Sequence, residues 1–69
     1  MATVANGLYR HYKGNLYEVV GVARHSETEE ELVVYQPSGS DQLWVRPLAM
    51  FVETVDIAGQ PVPRFAPEE

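Results

Sequence analysis

The sequence predicts an all-β domain, a small five-stranded barrel of the SH3-like kind, and three observations lead there. Short segments rich in Tyr, Val and Leu alternate with clusters of Gly, Pro, Asn and Ser; the turn chemistry between them suits hairpins; and 69 residues leave room for one core only. The chain has no cysteine and two histidines, so neither a disulfide nor a Cys-based zinc site staples so small a fold. Packing has to hold it, and every large aromatic is expected inside unless something else claims it.

Residues 1–6 lack periodicity and are expected to fray, ahead of a single domain over residues 7–57. Leu8-Tyr9-Arg10-His11-Tyr12 reads as the first strand. It ends at Lys13-Gly14-Asn15, where Gly14 and Asn15 are the residue types that most readily take positive φ, which predicts a tight hairpin. The next stretch, Leu16 to His25, is dense in β-formers and too evenly apolar for a strand with one face in water. Gly21 at its middle allows a bulge, so that Tyr17 and Val19 face the core before it and Val22 after it on switched parity.

Ser26 to Glu29 is a polar turn, and Glu30 to Gln36 returns as a third strand with Leu32 expected inside. A helix is the rival there, because Ser26 and Glu29 have capping-box spacing, but Pro37 leaves barely two turns. Pro37 to Asp41 is a loop, Leu43 to Pro47 a fourth strand, and Leu48 to Phe51 one helical turn, with Val52 or Phe51 anchoring the bend. Val52 to Ile57 alternates as a fifth strand. Residues 58–69, with Pro61, Pro63 and Pro67, are expected as an extended tail with Phe65 docking on the barrel. An OB-like barrel is the alternative architecture, disfavoured because the Pro37 to Asp41 loop has no room for that fold's helix.

Charge narrows the function classes. Ten acids against five basic residues give a formal charge of −5, which disfavours nucleic acid as the default partner. Six of those acids sit in Glu27, Glu29, Glu30, Glu31, Glu68 and Glu69, so the rest of the surface is close to neutral, with a local basic patch at Arg10, His11 and Lys13. No apolar run approaches a membrane span, and Met1 to Asn6 lacks the basic start and apolar centre of a signal peptide; a soluble, cytoplasmic protein without membrane contact is expected.

The chain contains no Gly-x-Ser-x-Gly elbow, His-Glu-x-x-His pair, phosphate loop or dinucleotide fingerprint, and neither a catalytic residue nor a cofactor is expected. His11 and His25, with Glu18 or Glu53, have the residue types of a two-histidine, one-carboxylate metal site, although ligands usually lie closer in sequence. A better candidate is a recognition face on the fourth strand. If Leu43 and Val45 point inward, the period of two turns Trp44 and Arg46 outward together, and Trp beside Arg makes a binding hot spot. The competing reading places Trp44 at the centre of the core, with Leu43 and Val45 covered by the tail. On the first strand, Tyr9, His11 and Lys13 share one face and Arg10 and Tyr12 the other, a mix suited to stacking on a base or gripping a phosphate. Equally, Arg10 and Lys13 suit ion pairs with the Glu27 to Glu31 cluster.

The run Gly7-Leu-Tyr-Arg-His-Tyr-Lys-Gly-Asn-Leu-Tyr17, followed by Val22-Ala-Arg-His-Ser-Glu-Thr28, Glu31-Leu-Val-Val-Tyr35, Trp44-Val-Arg-Pro-Leu48, Met50-Phe51 and Val62-Pro-Arg-Phe65, resembles a family of short bacterial proteins known as a domain of unknown function. The resemblance spans nearly all of residues 7–65 and implies no activity. Family members often carry an aromatic in the loop after the third strand, where this chain has Pro37-Ser38-Gly39.

These readings lead to a non-catalytic binding module for a peptide or protein partner, with the ligand over Tyr9, Tyr35, Trp44 and Arg46. The runner-up is a nucleic-acid-binding barrel using Arg10, Lys13, Arg24 and Arg46. A small metal-dependent enzyme comes third. Oligomeric state is not encoded in any motif.

Overall fold

The computed structural model describes residues 4–68. Strands β1 (Gly7–His11), β2 (Leu16–Arg24), β3 (Glu31–Pro37) and β4 (Trp44–Pro47) are followed by a four-residue helix, α1 (Leu48–Phe51), and then by β5 (Thr54–Ile57), β6 (Gln60–Pro63) and β7 (Phe65–Pro67). The main sheet is antiparallel with the order β4-β3-β2-β1-β7, and β5 pairs with β6 in a separate two-stranded ribbon. All-β architecture follows, but the expected barrel does not close: β4 and β7 are the two edges of an open sheet.

The reason lies in the last third of the chain. Ala58 and Gly59 both take positive φ (53° and 83°) between the paired Ile57 and Gln60, the geometry of a two-residue hairpin turn. That turn folds the fifth strand onto Gln60–Pro63 instead of onto the main sheet. The segment expected as a tail then supplies β7, which pairs with β1 through Tyr9↔Pro67, Arg10↔Ala66 and His11↔Phe65.

The hairpin between β1 and β2 forms where Lys13-Gly14-Asn15 predicts it. His11 O accepts from Gly14 N–H at 2.7 Å, and His11 N–H donates to Asn15 O at 2.8 Å. Gly14 alone takes positive φ (107°); Asn15 does not, because a single such residue closes a three-residue loop. The bulge in β2 lies between Val19 and Gly21. Before it Val19 faces Tyr35, and after it Val22 faces Val33, so the side-chain set switches parity at the glycine and both sets meet the inner face of β3. Val22 is nonetheless 37% exposed, since the core ends short of it.

Val4, Tyr9, Val19, Val33, Tyr35, Leu48, Phe51 and Phe65 form that core on one face of the sheet. Pro47 ends β4, and one helical turn then brings Leu48 and Phe51, three residues apart, onto the same side facing the sheet. Phe51, not Val52, anchors the bend. Its ring stacks on Phe65 with centroids 4.1 Å apart and planes 5° from parallel, while Tyr9 and Tyr35 meet it edge-on at 5.5 Å and 5.7 Å. Val4 is buried and Tyr9 Oη donates to Ala5 O at 2.8 Å, so the chain is tied down from residue 4; the expected fraying of residues 1–3 lies outside the described residues.

Two side-chain assignments change. Leu32 pairs with Ala23 and Pro47, one step out of phase with the buried Val33, and so belongs to the outer face. In β4 the register sets Trp44 opposite Tyr35 and Arg46 opposite Val33, both on the inner side, and leaves Val45 59% exposed on the outer one. Trp44 and Arg46 do share a face, and of the two orientations left open it is the inner one, with Trp44 at the rim of the core and not at its centre, because β3 dictates the phase of its neighbour. Among the described residues no helix is long and apolar enough to cross a membrane.

The core assignment makes a prediction. Val33→Ala should destabilise the protein by about 2 kcal/mol, and Leu32→Ala by less than about 1 kcal/mol despite removing more atoms, as read by urea denaturation. Equal costs would mean that the phase of β3 is wrong.

Candidate functional site

The inner face has a covered half under α1 and a half-open one at the hairpin end of the sheet. His11 closes β1 there. Its Nδ1 accepts the Lys13 backbone N–H at 3.1 Å, which leaves the ring proton on Nε2 while the imidazole is neutral. The ring lies 4.6 Å from Tyr12 and meets Phe65 edge-on at 4.9 Å and Tyr17 at 6.2 Å. Tyr17, partly buried against the core, links it to Tyr35 (5.5 Å), Phe65 (5.7 Å) and Trp44 (6.1 Å). Trp44, 44% exposed, stands edge-on to Tyr35 at 6.0 Å, half in the cluster and half in water. An open depression of ≈ 320 Å³ lined by Asn15, Leu16, Tyr17, Pro37 and Ser38 borders Tyr17 at this end.

Two arginines hold positions in this aromatic frame. Arg46 Nε donates to Tyr35 Oη at 3.3 Å, and its guanidinium carbon lies 5.6 Å from the Phe65 ring centroid, a cation–π contact. Arg64, between β6 and β7, is fixed through its backbone: its N–H donates to Glu53 O at 2.9 Å and its O accepts from Tyr12 N–H at 3.0 Å. Its Nη2 donates to Glu53 Oε1 at 3.2 Å, while its Nε is buried with no hydrogen-bond partner. Burial holds the His11 pKa below its ordinary value of 6.5, and the charges of Arg46, Arg64 and Lys13 push it the same way. The perturbing charges about this imidazole are all positive, in a chain whose formal charge is −5.

The structure sorts the expected site residues. His11 and Arg46 both border the Phe65 ring and Trp44 joins His11 through Tyr17, with Lys13 exposed at the rim, its Nζ 5.9 Å from the Tyr12 ring. Tyr9 and Tyr35 are 9% and 3% exposed, so they are core members and present no ring face to a ligand. Arg10 belongs to the outer face. It pairs with Glu68 through two hydrogen bonds of 3.1 Å, which raise its pKa and lower that of Glu68. Neither Arg10 nor Lys13 pairs with the Glu27 to Glu31 cluster, because that cluster borders the β2–β3 turn at the far end of β2.

Arg24 sits at that far end too, donating to Glu29 O at 3.2 Å, so the four cations of the nucleic-acid reading do not share a track. His25 shares the turn with it, and its Nδ1 accepts from Glu27 N–H at 3.1 Å and Thr28 N–H at 3.3 Å. The two histidines are therefore turn caps at opposite ends of a nine-residue strand, roughly 25 Å apart at the rise of extended chain, and do not form a joint metal site. Among the described residues no group of three His, Asp or Glu side chains is placed to hold a metal ion. Sequence reasoning missed Tyr17, Arg64 and Phe65 as site members. The available signal was that Phe65 docks on the barrel, which carries its neighbour Arg64 to the same place.

The electrostatics of His11 yield a pH prediction. A base whose folded pKa is lowered contributes stability that is fully present above its unfolded value of 6.5 and is lost as pH falls through the folded value. Calorimetry from about pH 7 to pH 5 should show a falling Tm that His11→Gln flattens. The loss tied to the lowered Glu68 carboxyl sets in separately, below its ordinary 4.5. An unchanged slope in His11→Gln would contradict the crowding of cations about this ring.

The comparisons with known proteins agree with the fold. The family model described as protein of unknown function (DUF1653) matches residues 7–67. A crystal structure of a DUF1653 protein from Bordetella bronchiseptica superposes with a TM-score of 0.81 and 42% identity, covering 91% of this chain and 85% of that one. Among the curated proteins none matches. With the model spanning almost the whole described chain and a solved relative at this identity, the protein belongs to the DUF1653 family.

Proposed function

We propose that the protein is a non-catalytic recognition module for a peptide segment of a partner protein, with its contact surface on the half-open inner face at Trp44, Tyr17, His11 and Arg46. The observation that carries this reading is the half-exposed Trp44 held edge-on by Tyr35, with Arg46 fixed on the face of Phe65 beside it. Large aromatic rings with few rotatable bonds, next to an immobilised guanidinium, offer contact area at low entropic cost. A chain this small needs its aromatics inside, so an indole left half in water at the rim of an otherwise packed cluster supports a role outside folding.

A peptide suits the face better than a nucleic acid. A polyanion engages cations along a line, whereas Arg10 is tied to Glu68 on the outer face and Arg24 lies at the acidic end of the sheet.

Peptides selected from a random display library against the folded protein, titrated into ¹⁵N-labelled sample, test the reading. Shifts are expected at Trp44 Nε1, Tyr17, His11 and Arg46. Trp44→Ala should weaken binding about 30-fold, roughly 2 kcal/mol, while Val45→Ala on the opposite face leaves it unchanged. Shifts centred on Leu8, Val34 and Val45 would refute it.

A further inference from the structure

The recognition face carries a second feature that determines what kind of peptide fits. Arg46 uses Nε on Tyr35 and stacks on Phe65, which leaves its two terminal nitrogens, the end-on fork of the guanidinium, without an acceptor among the described residues. Arg64 places one nitrogen on Glu53 and has a buried Nε with no acceptor. His11 borders the same Phe65 ring as Arg46, and Arg64 is held beside it by the bond of its carbonyl to Tyr12 N–H; His11 Nδ1 is occupied by the Lys13 amide, leaving Nε2 as its donor. Arg46, Arg64 and Lys13 all lie near enough to His11 to act on its charge, and no carboxylate of the described residues pairs with Arg46.

Resting on the reading above, we infer that Arg46, Arg64 and His11 form a receptor for one carboxylate of the bound peptide, next to an aromatic or aliphatic side chain laid on Trp44 and Tyr17. The charge count favours a monoanion. Glu53 already offsets part of Arg64, and burial and the neighbouring cations disfavour the charged form of His11 in the free protein, which leaves little more than the charge of Arg46 and the rim Lys13 to be matched. A planar carboxylate fits the end-on fork of a guanidinium in two parallel hydrogen bonds, and Arg46 is pre-oriented for it by Tyr35 and Phe65. The anion would offset the positive surroundings of His11, so the imidazole gains a proton more easily in the complex than in the free protein.

Two minimal probes separate this inference from the reading beneath it. N-acetylphenylalanine carries a ring and a carboxylate; N-acetylphenylalaninamide carries the ring alone. In ¹⁵N chemical-shift titrations the acid is expected to bind at least tenfold tighter than the amide, shifting Arg46, Arg64 and His11 as well as Trp44. Arg46→Gln should remove that preference, with thermal melts confirming a folded variant, while Val45→Ala on the outer face leaves the affinities for acid and amide unchanged. Binding of the acid should also tighten as pH falls from about 7 to 6, and lose that dependence in His11→Gln.

Acetyl-aspartyl-phenylalaninamide tells a side-chain carboxylate from a terminal one; tighter binding than the amide by either acid supports the receptor. Equal binding of acid and amide at Trp44 would overturn the carboxylate receptor and leave the recognition face standing. No shift at Trp44 with any probe would overturn both. Phenyl phosphate or a short oligothymidylate binding more than tenfold tighter than either acid would overturn the choice of carboxylate.

Discussion

The stacked pair of Phe51 and Phe65 is the contact on which the rest of this fold depends. One ring comes from the helical turn after β4 and the other from the last strand, so the pair joins the two edges of the open sheet across its inner face. A sheet that does not close must cover its apolar face in some other way. Here the cover is a four-residue helix and the chain before β1, clamped over Val19 and Val33. The same pair underlies the proposed recognition face: Tyr35 is buried against both rings, its hydroxyl reaches Arg46, and the Phe65 ring receives the guanidinium.

Much of this was legible in the chain because strands obey a period of two. Gly21 marked the bulge, and from it followed the switch that sets Val19 and Val22 on the side of the same partner strand. Pro47 and the spacing of Leu48 and Phe51 marked the helical turn. What stayed illegible was relational. Whether Trp44 and Arg46 face inward depends on the pairing of β4 with β3, and a four-residue strand carries too few alternations to reveal its phase alone. Closure failed for a similar reason: Ala58-Gly59 is a weaker hairpin signal than Asn-Gly, and Gln60–Pro63 with two prolines reads as tail rather than strand. Both prolines are tolerated because the ribbon has only two strands, each with a free edge.

The site residues divide along the same line. Trp44, Arg46, His11 and Lys13 stand out by type, whereas Arg64 becomes a member only because β7 delivers its neighbour Phe65 beside β1. Tyr9 and Tyr35 stand out by type as well, yet a core of eight buried side chains among the described residues has no substitute for them. Type alone therefore overstates a binding face in a small domain, since the residues that suit an interface are also those that best fill a thin core.

Charge separation follows from topology. β2 has one hairpin at each end: the first carries His11 and Lys13, the second Arg24 and Glu27 to Glu31. Because β3 runs antiparallel and β4 returns beside it, Trp44 comes back to the first end, away from the Glu27 to Glu31 turn, and Arg46 reaches the aromatic cluster there through Phe65. An acidic protein thereby keeps one locally positive, aromatic-lined end, and the acids elsewhere raise the cost of a polyanion approaching the remainder of the surface. The orientation of Arg46 is coupled to stability in consequence. The hydrogen bond and ring face that orient Arg46 belong to Tyr35 and Phe65, two buried members of the core, so a change that loosens the Phe51 stack also loosens the guanidinium.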